Sequence, residues 1–270
     1  MSMGQSRSIA FTKATACGND FLIVRAESLG NAAGRGDLAN LSRRMCDRHN
    51  GVGADGAEWL FADEEADAQI RLFNADGSEA EISGNGMRCV AAEICALGNK
   101  TKIAIRTGAG VKLCRLIERR GAEFEFESAM GQATVEGELA IETAEAQTAG
   151  MRVSMGNPHF VVFVDRFEEG WQKEAARIQA QPQFPLGTNV EYVIVRGENE
   201  IEIRLFERGV GETMSSGTGS CASAVAAIAQ GRVNSPVTVI APGGPQTVRW
   251  EDQIYLRGPA RLICRGEYFF

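Results

Sequence analysis

Two short segments carry the clearest chemical potential in this chain: Ser83-Gly84-Asn85-Gly86 and Ser216-Gly217-Thr218-Gly219. Each runs into small and apolar residues, VAAEICALG in one case and ASAVAAIAQG in the other. A serine just before a Gly-x-Gly turn that opens a helix leaves the first-turn N–H groups bare. Those amides, with the positive end of the helix dipole, attract an anion such as a carboxylate, and glycine lets it come close. Two such turns facing one cleft would grip a single carboxylate and set the side chains of residues 83 and 216 on either side of the attached carbon. Racemisation needs that arrangement: one group removes the α-proton while the opposed group delivers a proton to the other face. Taken singly, each serine is equally a helix N-cap.

The pairing is more than a shared tetrapeptide. RLFNADGSEAEISGNG from Arg71 lies on RLFERGVGETMSSGTG from Arg204 without a gap, and seven of sixteen positions coincide. Unrelated sequences of average composition would share about one. Upstream of each copy stands a second echo, CGNDF at 17–21 and MGNPHF at 155–160. The order Gly-Asn turn, strand, Ser-Gly-x-Gly, helix therefore occurs twice, which points to two similar domains split in the charged stretch near Glu118 to Gly121, with a shared cleft. Gly-rich turns that merely begin two similar βα units are the plainer alternative.

The elements that must position these residues are mostly strands. Alternating runs at DFLIVRA from 20, AQIRLFNA from 68, KIAIRTG from 102, AEFEFES from 122, HFVVFVD from 159, EIEIRLF from 200 and VTVIAP from 237 have the strand period of two. Helical patterns are fewer: LANLSRRMCDRH from 38, GMRCVAAEICALG from 86, WQKEAARIQAQ from 171 and GSCASAVAAIAQG from 219. The class is mixed, with strands in the majority.

Composition excludes several kinds of partner. The 270 residues, 44% hydrophobic, suit a packed globular protein, and no stretch approaches the roughly 18 apolar residues of a membrane span. The start of the chain lacks an export pattern, so a soluble cytoplasmic protein is expected. A net charge of -7 disfavours nucleic acid. Seven scattered cysteines without a CxxC pair, and only His49 and His159, leave few ligands for a metal. None of the lysines at 13, 100, 102, 112 and 173 has a phosphate-binding context, so no pyridoxal phosphate or other cofactor is expected.

The ordered segments CGNDF (17–21), DRHNGVGADG (47–56), FNADGSEAE (73–81), SGNGMRC (83–89), SMGNPH (154–159), TNVEYV (188–193) and ERGVGET (207–213) resemble the signature of the diaminopimelate epimerase family nearly end to end. The resemblance implies an α+β fold of two pseudo-symmetric domains, each a β-rich barrel-like sheet around a central helix, with the active site in the cleft between them. It places the first domain at 1–118, completed by a returning strand at 260–270, and the second at 119–259. It further implies a cofactor-independent isomerase that converts LL- to meso-diaminopimelate for lysine and peptidoglycan synthesis, usually as a homodimer. Asn19, Asn74, Asn157, Asn189, Glu207 and Arg208 match substrate-holding positions, including those for the distal amino-acid end. Gly84 with Asn85 and Gly217 with Thr218 match the two carboxylate-binding turns, and His159 matches a residue near the first reacting group. A carboxylate, a guanidinium and amides suit the ammonium and carboxylate of a zwitterion.

One departure strikes the chemistry. The family has cysteine at positions 83 and 216, and this chain has serine at both. A thiol with a pKa near 8.5 yields a thiolate close to neutrality, whereas a hydroxyl normally needs a partner base. His159 would have to serve Ser83, and Glu207 or Glu212 would have to serve Ser216. Cys89 and Cys221, each shortly after a motif serine, are expected as buried thiols within the helices. The expectation is weak or absent turnover with binding retained. The alternatives are a disabled epimerase, a related isomerase, dehydratase or tautomerase needing one acid or base, and a non-catalytic amino-acid binder.

Overall fold

The computed structural model describes residues 8–32, 38–142 and 147–270. By internal contacts the chain divides into two compact units, residues 1–127 with 259–270, and residues 128–258. The divisions fall inside two long strands, β8 (Glu123–Gly131) and β17 (Ile254–Phe269).

In the first unit eight strands close into a barrel. β1 (Ser8–Ala16) pairs antiparallel with β2 (Asn19–Arg25) and with β17. From β2 the ring continues through β3 (Gly56–Phe61), parallel, and β4 (Ala68–Asn74), antiparallel. It then passes to β6 (Lys102–Thr107), parallel, and β7 (Gly110–Arg120), antiparallel, before β8. The short β5 (Glu79–Ala80) folds back on β4 and leads into α2 (Gly84–Leu97). Most residues of α2 are buried, Asn85, Arg88 and Glu93 among them, as befits a helix at the centre of the barrel. Its core neighbours are Phe21, Ile23, Leu60, Ile70, Leu72, Ile103, Ile105, Phe124 and Phe126, the inward-facing alternates of the strands around it. The opposite alternates of β3, Ala57 and Trp59, pack with Leu38, Leu41 and Met45 of α1 (Leu38–Cys46), an amphipathic helix outside the barrel. Trp59 Nε1 donates to Ser42 Oγ of α1 at 2.8 Å.

The second unit repeats this plan. β10 (Gln147–Ser154) pairs antiparallel with β11 (Pro158–Phe163), which runs parallel to β12 (Asn189–Gly197) as β2 does to β3. β13 (Glu200–Glu207) is antiparallel to β12, β14 (Gly211–Thr213) folds back on it, and β15 (Val237–Ala241) lies parallel to β13. β16 (Gly244–Trp250) joins β15 to the first part of β17, and β9 (Thr134–Glu142) flanks β10. α4 (Gly217–Ala229), rich in alanine and serine, is the central helix, and its side chains are buried among Met151, Val161, Ile201, Ile203, Leu205 and Val239. α3 (Trp171–Gln179) packs on the outer face through Trp171, Ala175 and Ile178. The fold is α+β, with strands in the majority. Among the described residues no helix is long and apolar enough to cross a membrane.

Candidate active site

In the first unit the site begins at a tight turn. Cys17 takes a left-handed φ of 47°, rare for a residue with a β-carbon, and Gly18 follows at 84°. This turns the chain so that Asn19 opens β2 beside the start of α2. Asn85 Nδ2 donates to Asn19 Oδ1 at 2.7 Å, and Asn19 Nδ2 donates to Asp55 Oδ2 at 3.2 Å. Arg88, one turn along α2, donates through Nη2 to Asn85 Oδ1 and to Cys17 Sγ (3.4 Å), and through Nε to the Pro259 carbonyl (3.1 Å). The loop before β3 is tied in by charge. Arg48 bridges Asp20 and Asp55 at 2.7 Å each, and Lys13 reaches Asp20 at 3.0 Å. Burial raises the Asp20 carboxyl, but hydrogen bonds from Arg48 and Lys13 outweigh it and hold the group below its ordinary range.

Ser83 caps α2. Its backbone is extended (φ -127°, ψ 122°) and its Oγ accepts the Gly86 N–H at 3.1 Å. A β-carbon on Gly84 would meet no atom within 4 Å, so the first helical residue is uncovered. Asn74 stands in the β4–β5 turn, where its side chain donates to Ser78 Oγ at 3.0 Å; no bond joins it to Asn19 or Asn85 among the described contacts.

The second unit builds the same features with different side chains. Gly156, at φ 93°, precedes Asn157, whose Nδ2 donates to Thr218 Oγ1 of α4 at 3.5 Å. The Asn157 amide oxygen lies 3.0 Å from His159 Nε2, and His159 Nδ1 lies 2.7 Å from Glu191 Oε1. Both side chains of the His159–Glu191 pair are almost wholly buried. Burial raises the Glu191 carboxyl more than the His159 charge lowers it, and the nearby Glu207 charge adds to the rise. Asn189 Oδ1 accepts the Arg208 N–H at 3.0 Å, and its Nδ2 donates to the Pro158 carbonyl at 3.0 Å. The Arg208 guanidinium donates to the Leu186 carbonyl at 3.0 Å. Ser216 caps α4 as Ser83 caps α2, with Oγ accepting the Gly219 N–H at 3.3 Å. Glu212, the other base considered for Ser216, is held by Gln172 of α3 at 2.9 Å.

The expected residues thus gather in two sets. Asn19, Gly84, Asn85 and Ser83 belong to the start of α2; Asn157, His159, Asn189, Arg208, Ser216, Gly217 and Thr218 belong to the start of α4 and the strands beneath it. Cys89 and Cys221 are fully buried within their helices, and burial pushes the Cys89 thiol far up. Glu58, Glu191, Asp20, Asp55, Arg48 and Arg88 join the site without a role expected from the sequence motifs. A signal for the first two existed, because the offset that lays Arg71 on Arg204 also lays Glu58 on Glu191. Among the described residues no cluster of His, Cys, Asp and Glu has a metal-binding arrangement. A cavity of about 400 Å³ in the first unit, lined by Glu118, Arg120, Glu123 and Arg261, includes none of these site residues.

With this geometry in place, comparison with known proteins is specific. The family model described as diaminopimelate epimerase matches residues 11–136 and 151–263. The diaminopimelate epimerase of Pelotomaculum thermopropionicum is 38% identical over 276 residues, covering 96% of this chain and 98% of that protein. That of Desulforudis audaxviator is 39% identical over 279 residues, with the same coverage of each. Among solved structures, a hydroxyproline epimerase from Agrobacterium vitis with bound trans-4-hydroxy-L-proline has a TM-score of 0.70 at 17% identity, covering 99% of this chain and 93% of its own. A phenazine biosynthesis protein of the PhzF family from Bacillus anthracis has a TM-score of 0.73 at 15% identity, covering 96% and 98%. At such identities the likeness is one of fold.

Proposed function

We propose, on the premise that this chain belongs to the diaminopimelate epimerase family, that it is an isomerase-type protein whose two serine-capped turns hold the carboxylate of a diaminopimelate-like amino acid. The observation that carries the reading is the repeated helix start. In each unit a central helix opens on a serine cap, followed by Gly84-Asn85 or Gly217-Thr218, and an asparagine from the preceding Gly-Asn turn hydrogen-bonds to the helix's second residue. Bare first-turn amides and the helix dipole supply a carboxylate site at each start.

Ser83 and Ser216 then stand at the reacting positions. Asn19, Asn74, Asn157 and Asn189 serve as amide contacts, and Glu207 with Arg208 offers charges complementary to the ammonium and carboxylate at the far end of the substrate. His159, held between Asn157 and Glu191, is the imidazole that would assist a reacting serine. Conversion of LL- to meso-diaminopimelate would proceed without a cofactor, in the cytoplasm, in a homodimer. Because a hydroxyl is a far weaker acid than a thiol, turnover is slow.

A second reading has its own observation. Both serine oxygens accept a helix N–H, as caps do, which suits a binder that does not turn its ligand over, or an isomerase, dehydratase or tautomerase using one acid or base. Calorimetric titration with LL- and meso-diaminopimelate, run beside NMR of deuterium uptake at the α-carbon in heavy water, separates these. The expected result is binding, with exchange far slower than in the Ser83→Cys/Ser216→Cys variant. Absence of binding overturns the family's substrate for this chain. Binding without any gain in the cysteine variant favours the binder.

A further inference from the structure

Glu58 breaks an otherwise apolar strand. In β3, GAEWLF, it shares with Leu60 the face turned toward α2, and its register partners are Ile23 of β2 and Leu72 of β4. The side chain has no solvent exposure, and neither carboxyl oxygen has a hydrogen-bond partner. Its Oε1 fills the space beside the first turn of α2, where a β-carbon on Gly86 would stand only 2.1 Å away. Gly86 is the residue whose N–H goes to Ser83 Oγ. A buried polar group normally finds a partner, and one left without is expensive to keep.

The second unit shows the contrast. Glu191 lies at the corresponding place, 3.0 Å from where a β-carbon on Gly219 would stand, and is answered by His159 at 2.7 Å. In register with the neighbouring strand, the residue in the His159 place of the first unit is Phe21, whose ring also abuts Gly86. Glu58 therefore has a phenyl ring where Glu191 has an imidazole.

We propose that Glu58 is a positioning residue of the Ser83 turn: it must hold its proton for the first turn of α2 to accept a substrate carboxylate, so carboxylate binding and proton retention are linked. The proposal rests on the reading above that this turn binds the carboxylate. An ionised Glu58 would itself occupy the positive end of the helix and repel an incoming anion; a protonated one leaves that end open. Burial alone moves the Glu58 pKa to about 8, so the neutral form prevails at neutrality in the free protein. Cys89 of α2, a buried thiol, is the titratable group whose charge interacts with that of Glu58; Arg88, Cys17 and Asp20 act on Cys89. None of these groups forms a hydrogen bond with Glu58. β4 offers Leu72 on this face, while its Arg71 is bound to Glu79.

The test measures affinity for LL-diaminopimelate by calorimetry from about pH 6.5 to about pH 9.5, in the unaltered protein and in Glu58→Gln, which keeps the shape but cannot ionise. One linked proton gives a fall of about tenfold per pH unit above the free-protein pKa. That fall is expected in the unaltered protein relative to Glu58→Gln, since titration of the ligand's own amines is common to both. Carbon-13 NMR of the Glu58 carboxyl in the unaltered protein gives a second readout that needs no variant, and ligand should move its titration upward. Identical pH profiles in the two proteins, or a Glu58 titration unmoved by ligand, overturn the proposal while leaving the carboxylate reading intact. No binding by either protein near neutrality overturns both.

Discussion

Glu58 and Glu191 are one residue type at two equivalent places, and their surroundings decide what each does. Glu191 meets His159; Glu58 has no hydrogen-bonding partner, and burial raises its pKa from 4.5 to about 8. Below about pH 4.5 the group is protonated folded or unfolded and contributes no slope. From there to about 8 the unfolded chain has released a proton that the folded chain retains. Folding stability should then fall with rising pH by about 1.4 kcal/mol per unit, and the loss is complete above about 8. Glu58→Gln removes that slope, whatever fixed offset its amide introduces. Urea denaturation across this range in both proteins checks it, and parallel curves would show that Glu58 ionises normally. None of this was visible in the run GAEWLF, where a lone glutamate between apolar residues equally suits an edge facing water.

At the scale of the element, the two glycines that open α2 have different duties. A β-carbon at position 86 would lie 2.1 Å from Glu58 Oε1 and 3.3 Å from the Phe21 ring, both buried. Gly86→Ala should therefore cost about 2 kcal/mol in overpacking, and adding Glu58→Ala should recover part of it. Chemical denaturation of the single and double variants measures that coupling, and strict additivity would refute the contact. A β-carbon at position 84 meets nothing within 4 Å, so Gly84→Ala should leave stability within about 0.5 kcal/mol. It should nevertheless weaken diaminopimelate binding by shielding the bare amides. Unchanged affinity in calorimetry would remove the anion from this helix start.

For the whole molecule, the duplicated plan extends to strand pairing but not to every side chain. Arg71 pairs with Glu79 at 2.7 Å, whereas the equivalent Arg204 pairs with Glu202 at 3.1 Å and sits over the Phe167 ring at 4.3 Å. Val111 and Leu113 on β7, with Ile263 on β17, leave apolar surface exposed, which suits the homodimer proposed above. Sedimentation equilibrium at micromolar concentration should give twice the 29.0 kDa chain mass. A single-chain mass would set that assembly aside.

The sequence by itself determined the strand-rich class, the duplication and the two serine-capped turns, because period-two alternation and Gly-rich helix starts are local patterns. It pointed to Asn19, Asn85, Asn157 and Thr218, since those residues lie within the repeated turns themselves. Strands such as β3, β7, β9 and β16, some with a continuous apolar run and some exposed on much of both faces, gave weaker signals of that kind. Only the tertiary structure decided which buried acid has a partner. That depends on whether the residue two places before its register partner on the parallel neighbouring strand is Phe21 or His159, a neighbour 37 positions from Glu58 in one unit and 32 from Glu191 in the other. Local pattern fixes which face a side chain takes; the charge state of a carboxyl is set by what distant strands bring against that face.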